Sequence, residues 1–178
     1  MKMAPLATDR LHLSAPEARD VPEIARLANN YAVVRMLARV PYPFGPEDAQ
    51  FFLNEIVPNE PTWRVGRKGD GALLGFVGLN PMETPAVLEL GYWLGEAYWG
   101  RGYATEAARA VVAHAFDHLG VQKIVSGHFA MNPASGRVLA KIGFQETGRS
   151  RRYSQAAGEA LAHVDFVLER SGWPQMPA

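Results

Sequence analysis

The sequence predicts a mixed α+β fold, a mostly antiparallel sheet of about six or seven strands with helices packed against it. Strand-like runs cluster at residues 63–79 and 144–170 with only turns between them, as antiparallel neighbours require. The strands cluster around a few crossover helices, which argues against a doubly wound parallel sheet. One run, at 87–94, does lead through a glycine-broken turn into a long amphipathic helix at 104–119.

Each element follows from local chemistry. Residues 6–13 carry alternating Leu11 and Leu13 before Pro16 and read as a first strand. Asp20 is placed as the N-cap of a helix over 21–30, with Ile24, Leu27 and Ala28 on one face, and a short helix follows over 32–38. Pro41, Pro43 and Pro46 make 40–46 a loop bearing Tyr42 and Phe44. Ala49, Phe52, Leu53 and Ile56 resume helical spacing over 47–56. Residues 63–67 and 72–79 form a hairpin, because Asp70-Gly71 supplies the positive backbone angles of its turn. Over 104–119, Ala104, Ala107, Ala108, Val111, Val112, Ala115, Phe116 and Leu119 make one apolar stripe that Gly120 terminates. Residues 123–129 are a strand, Asn132 and Pro133 open a short helix that ends at Gly143, and 144–153 with 160–170 form a last strand pair.

The chain has 178 residues, 48% of them hydrophobic, which suits a single domain over 1–178 with its core in 6–170. Eighteen basic residues balance eighteen acidic ones, so no global field recruits nucleic acid or a membrane surface. The absence of cysteine excludes disulfides, thiolate metal sites and a cysteine nucleophile. Residues 1–10 lack an apolar signal segment and no run approaches the roughly 20 apolar residues of a membrane span, so a soluble cytoplasmic protein is expected. Residues 1–5 and 173–178 are expected to be loose ends.

The stretch Tyr98-Trp99-Gly100-Arg101-Gly102-Tyr103-Ala104-Thr105-Glu106-Ala107 places a tight turn between a strand and a helix N-terminus. Unpartnered N–H groups and the positive end of the helix dipole make such a junction an anion site. The spacing fits neither a dinucleotide-binding G-x-G-x-x-G loop nor a P-loop. Trp99-Gly100-Arg101-Gly102-Tyr103-Ala104 resembles instead the Q/R-x-x-G-x-G/A acyl-CoA signature of the GNAT superfamily of N-acyltransferases, with Trp99 in place of Gln or Arg. Together with Leu90-Gly91-Tyr92-Trp93-Leu94 and a second block from Asn132 to Phe144, it is similar to the RimJ/RimL-like branch. The resemblance spans about residues 6–170 and is strongest over 88–144.

That resemblance implies helices on both faces of the sheet and an acyl-CoA cleft between splayed central strands. It implies acetyl-CoA as co-substrate, its pyrophosphate on the N–H groups of Gly100, Arg101, Gly102, Tyr103, Ala104 and Thr105, with Trp99 in the same loop. Arg101 adds a charge-assisted phosphate contact. Backbone of Trp93 and Leu94 would pair with the pantetheine arm, beside Asn132, and Arg137 joins the cofactor-binding set. Ser135 sits where this branch often carries a serine near the thiol; the position of a frequent general-acid tyrosine holds Leu139, and Gly136 replaces a commonly polar residue.

Glu89 is the one acid within an otherwise apolar strand and is the expected base, accepting the amine proton directly or through water. The implied acceptor is a protein N-terminal α-amine, whose reference pKa near 7.7–8.0 leaves more neutral amine than a lysine's. A small amine is the alternative acceptor, and a non-catalytic acyl-CoA-binding module the alternative class. Tyr42 and Phe44 with Trp63, and Arg149, Arg151, Arg152 and Tyr153, are candidate acceptor-side groups. His114 and His118 are four residues apart but lack a third ligand, so no metal is expected. Neither nucleic acid nor membrane is an expected partner, and the protein is expected as monomer or homodimer.

Overall fold

The computed structural model describes residues 3–84 and 86–173. Among these, eight strands form: β1 (Leu6–Ala7), β2 (Leu11–Ser14), β3 (Thr62–Arg67), β4 (Leu73–Pro81), β5 (Val87–Leu94), β6 (Lys123–Phe129), β7 (Gln145–Ser154) and β8 (Glu159–Glu169). Five helices accompany them: α1 (Val21–Ala28), α2 (Tyr31–Val34), α3 (Pro46–Phe51), α4 (Tyr103–His118) and α5 (Pro133–Ile142). One sheet holds all eight strands in the order β1-β2-β3-β4-β5-β6-β8-β7. Every neighbouring pair is antiparallel except β5 with β6. Those two need a crossover, and α4 supplies it.

The pleat sorts side chains into two cores. On one face Leu11, Leu13, Trp63, Val77, Leu79 and Leu90 pack with the Ala107, Val111 and Phe116 stripe of α4. On the other, Phe76 and Leu73 meet Ile24 and Leu27 of α1, Ala49 of α3, and Phe44. Small alanines on α4 bring that helix close to the strands; Ala108 and Ala115 are fully buried. The expected helices form with ends displaced by one to four residues, and 47–56 becomes α3 followed by a wider π turn at Phe52–Ile56.

Four expectations change. The strand expected over 6–13 is a hairpin, because Thr8 and Arg10 turn aside to bond Glu106 of α4. Asp20 does not cap α1 with its side chain; it accepts the Glu17 N–H at 2.9 Å and Arg64 Nε at 2.9 Å. Trp63 is no acceptor-side residue, being fully buried on the α4 face with Nε1 donating to the Ala4 carbonyl at 2.9 Å. At the termini, Met3 packs on the core and Trp173 lies 5.8 Å from Phe116 between ring centroids, while residues 1–2 and 174–178 of the expected loose ends lie outside the described residues.

Asp20 is 4% exposed, and Arg64 bridges it to the hairpin turn by donating also to the Gly71 carbonyl at 2.9 Å. Removing one partner of a buried pair leaves an uncompensated charge. Arg64→Ala is therefore expected to cost about 3 kcal/mol, the lower end for such a pair because Arg64 keeps some solvent contact. Thermal unfolding should show a drop of roughly 6–12 °C for a chain of this length, and Asp20→Asn with Arg64→Met together should recover part of it.

Candidate active site

The site originates in a defect of the sheet. β5 and β6 keep register over three pairs, Val87 with Lys123, Leu88 with Ile124 and Glu89 with Val125, and then separate. β5 stays paired with β4 as far as Leu94, and β6 with β8 as far as Phe129, so the gap opens between them alone. At the fork Ser126 Oγ donates to the Leu90 carbonyl at 2.9 Å, occupying an acceptor on the edge that faces β6. A cavity of about 1250 Å³ runs through this opening, from the N-terminus of α4 on one face to α1 and α3 on the other.

Backbone parity decides what β5 offers the cavity. Successive residues of a strand direct their main-chain groups to opposite edges. Gly95 N–H donates to Leu74 of β4, so Gly91 and Trp93 face β4 while Tyr92 and Leu94 face the gap. The main chain expected of Trp93 is thus spent on β4, and Tyr92 takes its place beside Leu94. The Leu94 carbonyl already accepts Trp99 Nε1 at 2.8 Å, which ties the start of the glycine loop to the end of β5. Trp99, the departure from Gln or Arg, acts here as a strut.

Gly100 and Gly102 sit at φ 73° and 80°, the left-handed region that glycine enters freely. Trp99, Gly100, Gly102, Tyr103, Ala104 and Thr105 border the cavity, so the first N–H groups of α4 open toward it. Arg101 is exposed and does not line it. Behind the loop, Arg10 donates to the Arg101 carbonyl at 2.9 Å and to Glu106 at 2.7 Å, and its guanidinium lies 4.6 Å from the Tyr103 ring centre. Arg10 was invisible as a site residue in the sequence because its partners lie on the far side of the chain order. Its charge offsets the Glu106 carboxylate, which otherwise opposes anion binding at this helix end.

On the α4 and α5 face, Tyr92 and Ser135 meet. The phenol oxygen is 2.7 Å from Ser135 Oγ and 3.1 Å from the Ser135 carbonyl. Burial pushes the Tyr92 hydroxyl up to about 12, against the opposing pull of its hydrogen bond to Ser135, so it stays protonated. The pairing was not expected: alternation marks Tyr92 only as a residue of an apolar strand. Asn132 Oδ1 accepts the Ser135 N–H at 3.3 Å as N-cap of α5, and Asn132 and Arg137 both border the cavity. Gly136 is small for a reason, since a Cβ there would lie 2.6 Å from His128 Nε2.

On the opposite face, Glu89 borders the cavity and its Oε1 accepts Arg152 Nη1 at 2.5 Å. Arg39 forms a two-pronged pair with Glu60 at 2.6 and 2.7 Å, and the Asn80 amide, turned so that its nitrogen meets Glu60 and its oxygen meets Arg39, bridges the same two side chains. The Glu60 partnership raises Arg39 above the ordinary guanidinium range against the cost of burial. Of the arginine run, Arg152 and Tyr153 reach the cavity, while Arg149 stands exposed beside Glu146 and Arg151 donates to the Ala160 carbonyl. Phe44 lines the cavity on the α1 and α3 face, and Tyr42 is exposed with its ring 5.2 Å from Tyr31. His114 packs edge-on to Trp63 at 5.8 Å, and among the described residues no group of three potential metal ligands occurs.

The chain matches the acetyltransferase (GNAT) domain family over residues 10–145. It is 33% identical to the uncharacterised N-acetyltransferase YoaA of Bacillus subtilis (strain 168) over 97 residues, 54% of this chain and 55% of that one. It is 31% identical to YkkB of the same organism, across 84% of this chain and 90% of YkkB. To the ribosomal protein uS5-alanine N-acetyltransferase of Escherichia coli (strain K12) it is 29% identical over 47% of this chain and 43% of the enzyme. The fold is similar to a GNAT-family acetyltransferase of Bacillus anthracis, with a TM-score of 0.85 at 21% identity over 94% of this chain and 99% of that one. It is also similar to RimL, a ribosomal L7/L12 α-N-protein acetyltransferase solved with coenzyme A, with a TM-score of 0.81 at 18% identity over 93% and 98%. A spermidine N-acetyltransferase of Vibrio cholerae, solved with CoA and spermine, gives a TM-score of 0.80 at 20% identity over 93% and 98%.

The Arg10–Glu106 contact yields a pH test. Burial alone would raise the Glu106 carboxyl, but hydrogen bonds from Thr8, the Arg10 main chain and the Arg10 side chain carry it below the ordinary range. A carboxyl depressed in the folded state adds stability above its unfolded pKa, about 4.3, and that part is lost as pH falls through the folded value. Glu106→Gln should therefore be less stable than wild type at pH 7, and the gap should narrow by pH 3.5. Urea unfolding at both pH values checks this.

Proposed function

The chain belongs to the GNAT acetyltransferase family, and on that premise we propose that it transfers the acetyl group of acetyl-CoA directly to a primary amine, the N-terminal α-amine of a protein being the favoured acceptor. The β5–β6 gap carries this reading, since it supplies an open backbone edge for an extended pantetheine arm beside an anion-binding helix start. The residues suit the donor. N–H groups over 100–105 meet the pyrophosphate, the Tyr92 and Leu94 main chain the pantetheine arm, and Asn132 and Arg137 flank it.

The amine nitrogen attacks the thioester carbonyl carbon, the carbon–sulfur bond breaks, and the leaving thiolate needs a proton. Ser135 donates it, with the Tyr92 hydroxyl bonded to Ser135 Oγ and able to replenish it. Glu89, on the acceptor face, attracts the amine and offers its second oxygen, Oε2, to the amine proton. Two cleft carboxylates, Glu60 and Glu89, are each already paired with an arginine, and Asp48 Oδ2 accepts the Gly45 N–H. A polycation would have to displace those partners. A single amine on an apolar or peptide body matches the walls formed by Ile24, Val33, Phe44, Phe52 and Phe76.

Saturating acetyl-CoA, at about 100 times its dissociation constant, should stabilise the protein by about 2.7 kcal/mol, a rise on the order of 5–10 °C in thermal unfolding. NADH and ATP should give no comparable rise; absence of a CoA effect overturns the reading. With peptide and small-amine panels, peptides should outpace spermine. Preference for spermine would move the acceptor to the small-amine class, and CoA binding without turnover on any amine would mark a binding module. Ser135→Ala should lower kcat by roughly 10²-fold with little change in the KM for acetyl-CoA.

A further inference from the structure

Gly127 lies just past the fork of the gap, and an imidazole rests on it. A Cβ at Gly127 would stand 2.2 Å from His163 Cε1 and 2.9 Å from His163 Nε2. His163 is 5% exposed, borders the cavity, and meets the Phe129 ring edge-on at 5.9 Å between centroids. Strand registers put it on the same sheet face as Glu89, since Glu89 pairs with Val125 and His163 with Phe129, four residues further along β6. That is the acceptor side of the gap.

The ring's other nitrogen is fixed. His163 Nδ1 lies 2.8 Å from Asp165 Oδ1, which also accepts Ser150 Oγ at 3.0 Å from β7. An ionised carboxylate only accepts, so Nδ1 is the protonated nitrogen of this contact, and the ring in its neutral form presents the Nε2 lone pair. Among the described residues Nε2 has no hydrogen-bond partner, and it is not a buried orphan, which leaves it open to the cavity. A carboxylate orienting an imidazole whose second nitrogen faces a reaction cleft is the arrangement of a general base.

We propose that His163, oriented by Asp165, is a catalytic base that removes the proton from the acceptor amine, a role that rests on the acetyltransferase reading above. As nitrogen bonds to the thioester carbon and the carbon–sulfur bond breaks, the amine proton passes to His163 Nε2 directly or through one water and imidazolium returns it to solvent; the departing thiolate takes a proton from Ser135, which is reprotonated through Tyr92 from solvent. Reference values favour this division of labour: an ordinary imidazole, near 6.5, lies about two units closer to an α-amine than an ordinary carboxylate. On this assignment Glu89, offered the amine proton in the reading above, attracts and orients the amine instead, and His163 takes the proton. The charged groups facing this ring are Asp165 on its own strand, Arg152 on β7, and Glu89 on β5, which holds Arg152.

The test compares wild type, His163→Gln, His163→Ala and Asp165→Asn in acetyl transfer to the best amine found, alongside the acetyl-CoA thermal shift. His163→Gln is expected to lower kcat by roughly 10²-fold or more while the CoA-induced shift is kept, which certifies the fold and donor site. Asp165→Asn should lower kcat less and alter the acidic limb of the kcat–pH profile, because the ring loses its fixed tautomer. Added imidazole should restore part of the activity of His163→Ala, a rescue that a purely structural histidine would not give. Near-wild-type kcat in His163→Gln, or no rescue in His163→Ala while its CoA shift persists, overturns the dyad and leaves the acetyltransferase reading intact. Wild type without a CoA shift or turnover overturns both. If His163→Gln loses its CoA shift, Asp165→Asn decides: an unchanged pH profile sinks the proposal, and an altered acidic limb supports it.

Discussion

The whole site depends on one interruption: a parallel strand pair that stops pairing after three residues. A sheet leaves few backbone groups unmet in its interior, since a buried unpaired amide or carbonyl is costly. Here the cost is held down because each strand keeps its outer neighbour, β4 or β8, through the stretch where the inner pairing is lost. Ser126 fills one acceptor at the fork and Trp99 another at the far end of β5. The groups left between form an edge suited to an extended ligand rather than to another strand of the chain.

Everything around the gap serves to keep it open and to place chemistry on both sides. α4 is the crossover that β5 and β6 require, and its first turn therefore falls at the mouth of the opening they create. The β1–β2 hairpin braces that turn from outside the cavity through Thr8, Arg10 and Glu106. The same pleat that divides the two cores sends Tyr92 to the face where Ser135 waits and Glu89 to the face where Arg152 and His163 stand. The Tyr92–Ser135 pair and the Glu89, Arg152 and His163 group are thereby separated by the thickness of one sheet, and the gap connects them.

Two glycines show how closely the inner strand is fitted. Gly127 on β6 leaves space for the His163 ring on one face, and Gly136 on α5 leaves space for the His128 ring on the other. His128 Nδ1 is held at 2.8 Å from the Phe129 carbonyl, so its ring is fixed against α5 rather than free to swing. Adding one carbon at either glycine would displace an imidazole within a packed wall, where small increases in volume are poorly tolerated.

The sequence by itself determined the mixed sheet, the β3–β4 hairpin about Gly71, the α4 stripe and the glycine turn that opens α4, because each follows from spacing and turn chemistry within a short window. It also supplied Glu89, Ser135 and Asn132 as candidates. It did not reveal the break of 6–13 into a hairpin, the role of Arg10, the Tyr92–Ser135 contact, or the meeting of His163 with Gly127. Alternation marks Tyr92 as a strand residue but does not say what its hydroxyl touches. Trp93 and Tyr92 exchange roles for a similar reason, as only the pairing with β4 settles which backbone edge is free. Local periodicity fixes the face to which a side chain points; which distant groups share that face is decided by strand order and register, and these exist only once the sheet is assembled.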